Sequence, residues 1–128
     1  RRSSDLLCTF CNCETETIKH VLHDCLHWKR LWHDLIVWIK YKADIDINPN
    51  ITHFMFGYKE KRNDVLNLIF IATKYYIYTC KFRKQKPHIQ ALKPILLETY
   101  NISKQFLYTE CRYDKFLSFW SSCHSLFT

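Results

Sequence analysis

Cys8, Cys11, His20 and Cys25 stand in the spacing C-x2-C-x8-H-x4-C, and this run constrains the chain more than any other feature. Three thiols and an imidazole can surround one metal ion as a tetrahedron, and a two-residue gap lets a tight turn aim two sulfurs at a single point. The ligand chemistry favours one structural Zn2+ in a closed site. Three thiolates around a dication give a formal charge of about −1. An ion so supplied with electrons is a poor Lewis acid, and four protein ligands leave no position for substrate or an activated water, so hydrolytic chemistry is not expected.

Cysteine is also a common core residue, so the cluster has to be weighed against simple burial. Four of the seven cysteines, Cys8, Cys11, Cys13 and Cys25, share an 18-residue window with His20 and His23, whereas Cys80, Cys111 and Cys123 are far apart. The odd total and the lack of a signal-peptide pattern before the cluster argue against a secreted disulfide framework and favour a reducing intracellular compartment. Ligand identity stays open at two places. Cys13 is an alternative to Cys11, and His23 or His27 to His20. The preferred set places a histidine and a cysteine five positions apart, about 140° around an ideal helix, so His20 and Cys25 call for an irregular first turn.

The 128 residues are one domain's worth of chain, and 48% hydrophobic content is enough for a real core. Gly57 is the only glycine and Pro49, Pro87 and Pro94 the only prolines, too little turn chemistry for a meander of strands or a phosphate-cradling loop. The expected fold is therefore all-α: a small N-terminal CCHC zinc finger over residues 1–27, packed on a body of about four helices over 28–128. A chain starting at Arg1 reads as a piece of a larger one.

The first helix is expected from Thr17, as N-cap, to about Tyr41, with Leu22, Trp28, Leu31, Trp32, Leu35, Ile36 and Ile39 on its core face. The Trp28 and Trp32 pair reads as core rather than as a base-stacking platform. Lys42 to Tyr58, with Asp44, Asp46, Asn48, Pro49 and Asn50, reads as a loop across the body. A second helix, about Asn63 to Arg83, carries apolar residues around nearly its whole circumference and is expected to be packed on several sides. Asn67, Lys74 and Lys81 make its one polar seam, and Lys74 breaks the apolar run well before the length a membrane span needs. Two more helices are expected, about Ile89 to Tyr108, with Pro94 near the start or as a kink, and about Tyr113 to Phe127.

The net charge of +7 is unevenly spread: Thr79 to Pro94 holds Lys81, Arg83, Lys84, Lys86 and Lys93 with no acid. Such a cluster suits phosphates, and Tyr75, Tyr78 and Phe82 add stacking surface if they point outward. Its structural alternative is a solvated helix end, where cations also sit well.

The run CTFCNCETETIKHVLHDCLHWKRLW resembles the cysteine-histidine motif near the C-terminus of reverse transcriptases from long interspersed elements, the LINE-type non-LTR retrotransposons. LNLIFIATKYYIYTCKFRKQKP, Leu66 to Pro87, resembles the next conserved helix in those proteins, and KFLSFW, Lys115 to Trp120, is compatible with their closing segment. The departures are Cys13, a competing thiol, and Thr79 with Cys80, where related helices often carry another basic residue. The histidine also lies further from the cysteine pair than in the short retroviral knuckle, so that knuckle's way of reading bases does not carry over.

The resemblance implies a non-catalytic C-terminal domain of a polyprotein whose reverse transcriptase and endonuclease active sites lie upstream. It implies Cys8, Cys11, His20 and Cys25 as zinc ligands and a role in holding element RNA or target DNA during target-primed reverse transcription, in a cytoplasmic ribonucleoprotein and the nucleus. The residues expected to meet nucleic acid are Lys74, Lys81, Arg83, Lys84 and Lys86. The rival reading is a scaffold docking on the upstream polymerase or a host factor; an enzyme is disfavoured by the lack of a nucleophile, base and orienting acid.

Overall fold

The computed structural model describes Leu7, Cys8, Phe10, Cys11, Thr17, His20 and residues 25–128. Among these there is no strand, and five α-helices succeed one another: α1 (Leu26–Ala43), α2 (Ile51–Phe56), α3 (Asp64–Arg83), α4 (Ile89–Thr109) and α5 (Tyr113–Trp120). Short 3-10 segments occupy Lys61–Asn63 and His124–Phe127. The fold is the expected all-α body with a Cys/His cluster at its N-terminal end.

Helix α1 starts at Leu26, well after the Thr17 start that the periodicity predicts, because Cys25 turns out of helical geometry (φ −62°, ψ 133°) to become its N-cap. The Thr17 hydroxyl instead accepts the His20 N–H at 3.1 Å. Trp28, Leu31, Trp32, Leu35 and Ile39 are buried on one face as expected; Leu22 lies outside the described residues. Trp28 and Trp32 are core, the latter against Phe54 and Phe70.

The segment expected to be a loop is a loop only in part. From Ala43 to Asn50 half-buried Ala43, Ile45, Ile47 and Pro49 alternate with exposed Asp44, Asp46, Asn48 and Asn50, so an extended strap lays every second side chain on the core. Asn50 then opens α2 through a capping box, its side chain accepting the His53 N–H while the His53 imidazole accepts the Asn50 N–H. The reciprocal pair satisfies two orphan donors, which is how a six-residue helix persists and why Phe54 can be delivered to the core.

The polar seam of α3 pins the segment that leads out of α2. Asn67 clamps the Tyr58 backbone, accepting its N–H at 2.6 Å and donating to its carbonyl at 2.9 Å. Two turns further along α3, Lys74 Nζ donates to the Met55 carbonyl at 2.9 Å. Between these anchors sits Gly57 at φ 82°, where a Cβ would lie 2.8 Å from Asn67 Oδ1. Asn67 cannot retreat without losing both bonds to Tyr58. Gly57→Ala is therefore expected to destabilise the fold by about 2 kcal/mol or more, from left-handed strain and lost hydrogen bonds. Thermal unfolding checks this, and an unchanged midpoint would show that the clamp yields freely.

With its one glycine used there, the chain ends helices on costlier residues: Asp44 (φ 54°) after α1 and Lys84 (φ 52°) after α3. Helices α3 and α4 form a hairpin held by Tyr76, whose hydroxyl accepts the His88 N–H at 3.0 Å and faces the His88 carbonyl at 3.3 Å. Pro94 lies inside α4. Tyr100 is the hub of the C-terminal half, its ring against Phe116, Trp120 and Phe127 and its hydroxyl 2.9 Å from His124 Nδ1. The last predicted helix stops at Trp120 and resumes as a 3-10 turn, tied to α1 where Ser125 donates to the Lys42 carbonyl at 2.8 Å.

Helix α3 is packed on several sides, with Val65, Leu66, Ile69, Phe70, Tyr76 and Ile77 buried, but one side stays bare: Ile71, Tyr75, Tyr78 and Phe82 are exposed. No helix among the described residues is long and apolar enough to cross a membrane.

Candidate functional site

The four residues singled out by spacing converge. One donor atom from each of Cys8, Cys11, His20 and Cys25 lies within 4.8 Å of all the others, a group able to hold a metal ion. The Cys8 and Cys25 sulfurs are 3.8 Å apart, far beyond a disulfide bond of ~2.05 Å and equal to the edge of a tetrahedron with metal–sulfur bonds of about 2.3 Å. Cys11 Sγ and His20 Nε2 are 3.2 Å apart, somewhat closer than an ion between them would hold them.

The backbone explains how H-x4-C delivers two ligands to one point. The Cys25 N–H donates to the His20 carbonyl at 2.8 Å, an i to i+5 turn wider than the α-helical one. The extra residue removes the 140° mismatch of an ideal helix, and the irregular turn expected from the spacing is this π-type turn. Cys25 also caps α1, so its sulfur lies at the positive end of an 18-residue helix, where negative charge is favoured. The Phe10 N–H points to Cys8 Sγ at 3.4 Å, giving that sulfur a donor of the kind a thiolate needs.

Cys8, Cys25 and His20 are buried and Cys11 is half-buried. Burial pushes the Cys25 thiol up to about 12, against the pull of the His27 backbone, and Cys8 and Cys11 add to the rise. Thiols crowded in this way ionise together only with a cation among them, so metal uptake releases protons. His27, in the first turn of α1, is not among the clustered donors. The alternatives Cys13 and His23 lie outside the described residues.

The cluster is joined to the body through Phe10, whose ring meets Trp28 edge-on with centroids 4.5 Å apart. Trp28 is fully buried three residues after Cys25, so the Cys/His cluster and the core share one wall. Phe10 was not singled out by the sequence pattern; the signal was an aromatic residue between two paired cysteines.

The five basic candidates are not one surface. Lys74 is half-buried, bonded to Met55, and its burial lowers its pKa. That bond makes it part of the framework that holds the end of α2. Arg83, Lys84 and Lys86 are exposed and Lys81 is half-buried, all at the C-terminal end of α3. Arg83 and Lys86 line a groove of about 540 Å³ between the ends of α3 and α4, with Thr79, Gln85 and His88. No protein-family model matches this chain, and no curated protein and no solved structure matches it significantly.

Proposed function

We propose that this chain is a non-catalytic, zinc-organised nucleic-acid-binding domain in which the metal fixes the N-terminal segment against α1 and the end of α3 meets the phosphate backbone of RNA or DNA. The observation that carries this reading is the grouping of Lys81, Arg83, Lys84 and Lys86 beside a groove that holds Arg83, Lys86, Gln85 and His88 and no acid. Three sulfurs and one nitrogen within 4.8 Å of one another are a donor set that favours zinc over the harder divalent ions. The resemblance to LINE-type reverse transcriptases adds the setting: a C-terminal polyprotein domain that helps hold element RNA or target DNA during target-primed reverse transcription.

Metal analysis and RNA affinity measured on one purified sample test the proposal. The expected result is one equivalent of zinc and binding whose log K falls with log salt at a slope of about −3, for four cations on a single strand. Zinc without salt-sensitive binding to RNA or DNA would favour the scaffold reading, a domain that docks on its own polyprotein.

A further inference from the structure

Helix α3 leaves a row of side chains without cover. Ile71, Tyr75, Tyr78 and Phe82 are 58%, 71%, 39% and 85% exposed. At 100° per residue they fall within an arc of about 60°, so they form one stripe along the helix. With a rise of 1.5 Å per residue the three rings succeed one another at about 4.5 and 6 Å, over a stripe roughly 16 Å long. Water-exposed apolar rings in a row are costly, and contiguous patches of this kind mark contact surfaces.

Charge says what covers the row. No acid occurs from Val65 to Leu97, and the stripe runs directly into Arg83, Lys84 and Lys86. A cationic border attracts phosphate, while three aromatic rings at spacings of a few ångströms offer faces to successive bases. A duplex has its base faces stacked internally and would meet only the cations. A single strand can use both.

Resting on the proposed nucleic-acid role, we infer that the occupant of this face is single-stranded nucleic acid, with bases stacked on Tyr75, Tyr78 and Phe82 and the backbone directed toward Arg83, Lys84 and Lys86. Tyr76 and Ile77, between the stacking positions, face the core and take no part. Recognition by stacking tolerates any base, so the inferred site is indifferent to sequence and selective for strandedness.

The test compares the zinc-loaded chain with a Tyr75→Leu/Tyr78→Leu/Phe82→Leu variant. The probes are an unstructured oligouridine RNA and an RNA duplex of equal length. Leucine keeps an apolar surface but removes the aromatic face. The expected result is preference for the single strand, lost by at least about tenfold in the variant, while the salt slope and the zinc content stay as in the parent. Equal affinity for the two probes and an unaffected variant would overturn the stacking inference and leave the phosphate-binding proposal standing. No affinity for either probe would overturn both, as would a dimer that forms through this stripe and dissociates in the variant without RNA binding.

Discussion

Replacing Cys25 by serine is expected to abolish stoichiometric zinc and lower the thermal midpoint by about 10 °C. Cys25 stands in two places at once, as a fully buried donor of the Cys/His cluster and as the N-cap that starts α1. At free zinc a thousandfold above its dissociation constant, metal binding stabilises the folded state by about 4 kcal/mol. For a domain of this size each kcal/mol moves the midpoint by roughly 3 °C. Chelation of the parent should reproduce most of the loss, because the Phe10–Trp28 contact that ties the metal loop to the core depends on the loop being held. Cys111→Ser provides the comparison: that cysteine is exposed and stands in the turn before α5, away from the cluster, and zinc should be retained. Full zinc occupancy in Cys25→Ser would break the ligand set.

Reversing Lys81, Arg83, Lys84 and Lys86 to glutamate is expected to weaken RNA binding by at least about 100-fold and nearly to remove its salt dependence. A hundredfold corresponds to roughly 2.7 kcal/mol, about 0.7 kcal/mol for each position, which is ordinary for exposed charges meeting phosphate. The fold should survive, since the helix end is held by backbone bonds from Lys84 and Gln85 to Cys80 and Lys81. Four reversals also change the net charge by eight units, from +7 to −1, so a global effect must be separated from a local one. Lys59, Lys61, Arg62 and Lys115 are exposed cations elsewhere, and reversing those four produces the same net charge. Affinity kept in this second variant and lost in the first would locate binding at the end of α3. The opposite pattern would move it to the groove that Lys61, Arg62 and Lys115 line.

These expectations rest unevenly on sequence. The convergence of the four Cys and His donors was legible because it is governed by short-range spacing: C-x2-C and H-x4-C are local, and even the irregular turn results from five positions failing to match a helical repeat. Helices α3 and α4 were legible at both ends to within a residue or two, because long apolar periodicity and the turn around Pro87 are local as well. The late start of α1 was less visible. Helical periodicity ran back toward Thr17, but the requirement that Cys25 face the cluster breaks the helix at that point.

What the chain determined alone is its helical class, its cluster of Cys and His donors and the placing of a basic cluster, since each depends on residue type and near-neighbour spacing. Which side chains are spent internally was decided only in three dimensions. Lys74 and Asn67 look like a solvent-facing seam until the α2 segment folds back and its carbonyls need donors. Tyr75, Tyr78 and Phe82 look as core-like as Tyr76 and Ile77 until neighbouring helices cover one side of α3 and leave the other bare. Burial depends on what lies on the far side of a residue, and that partner is many positions away in the chain.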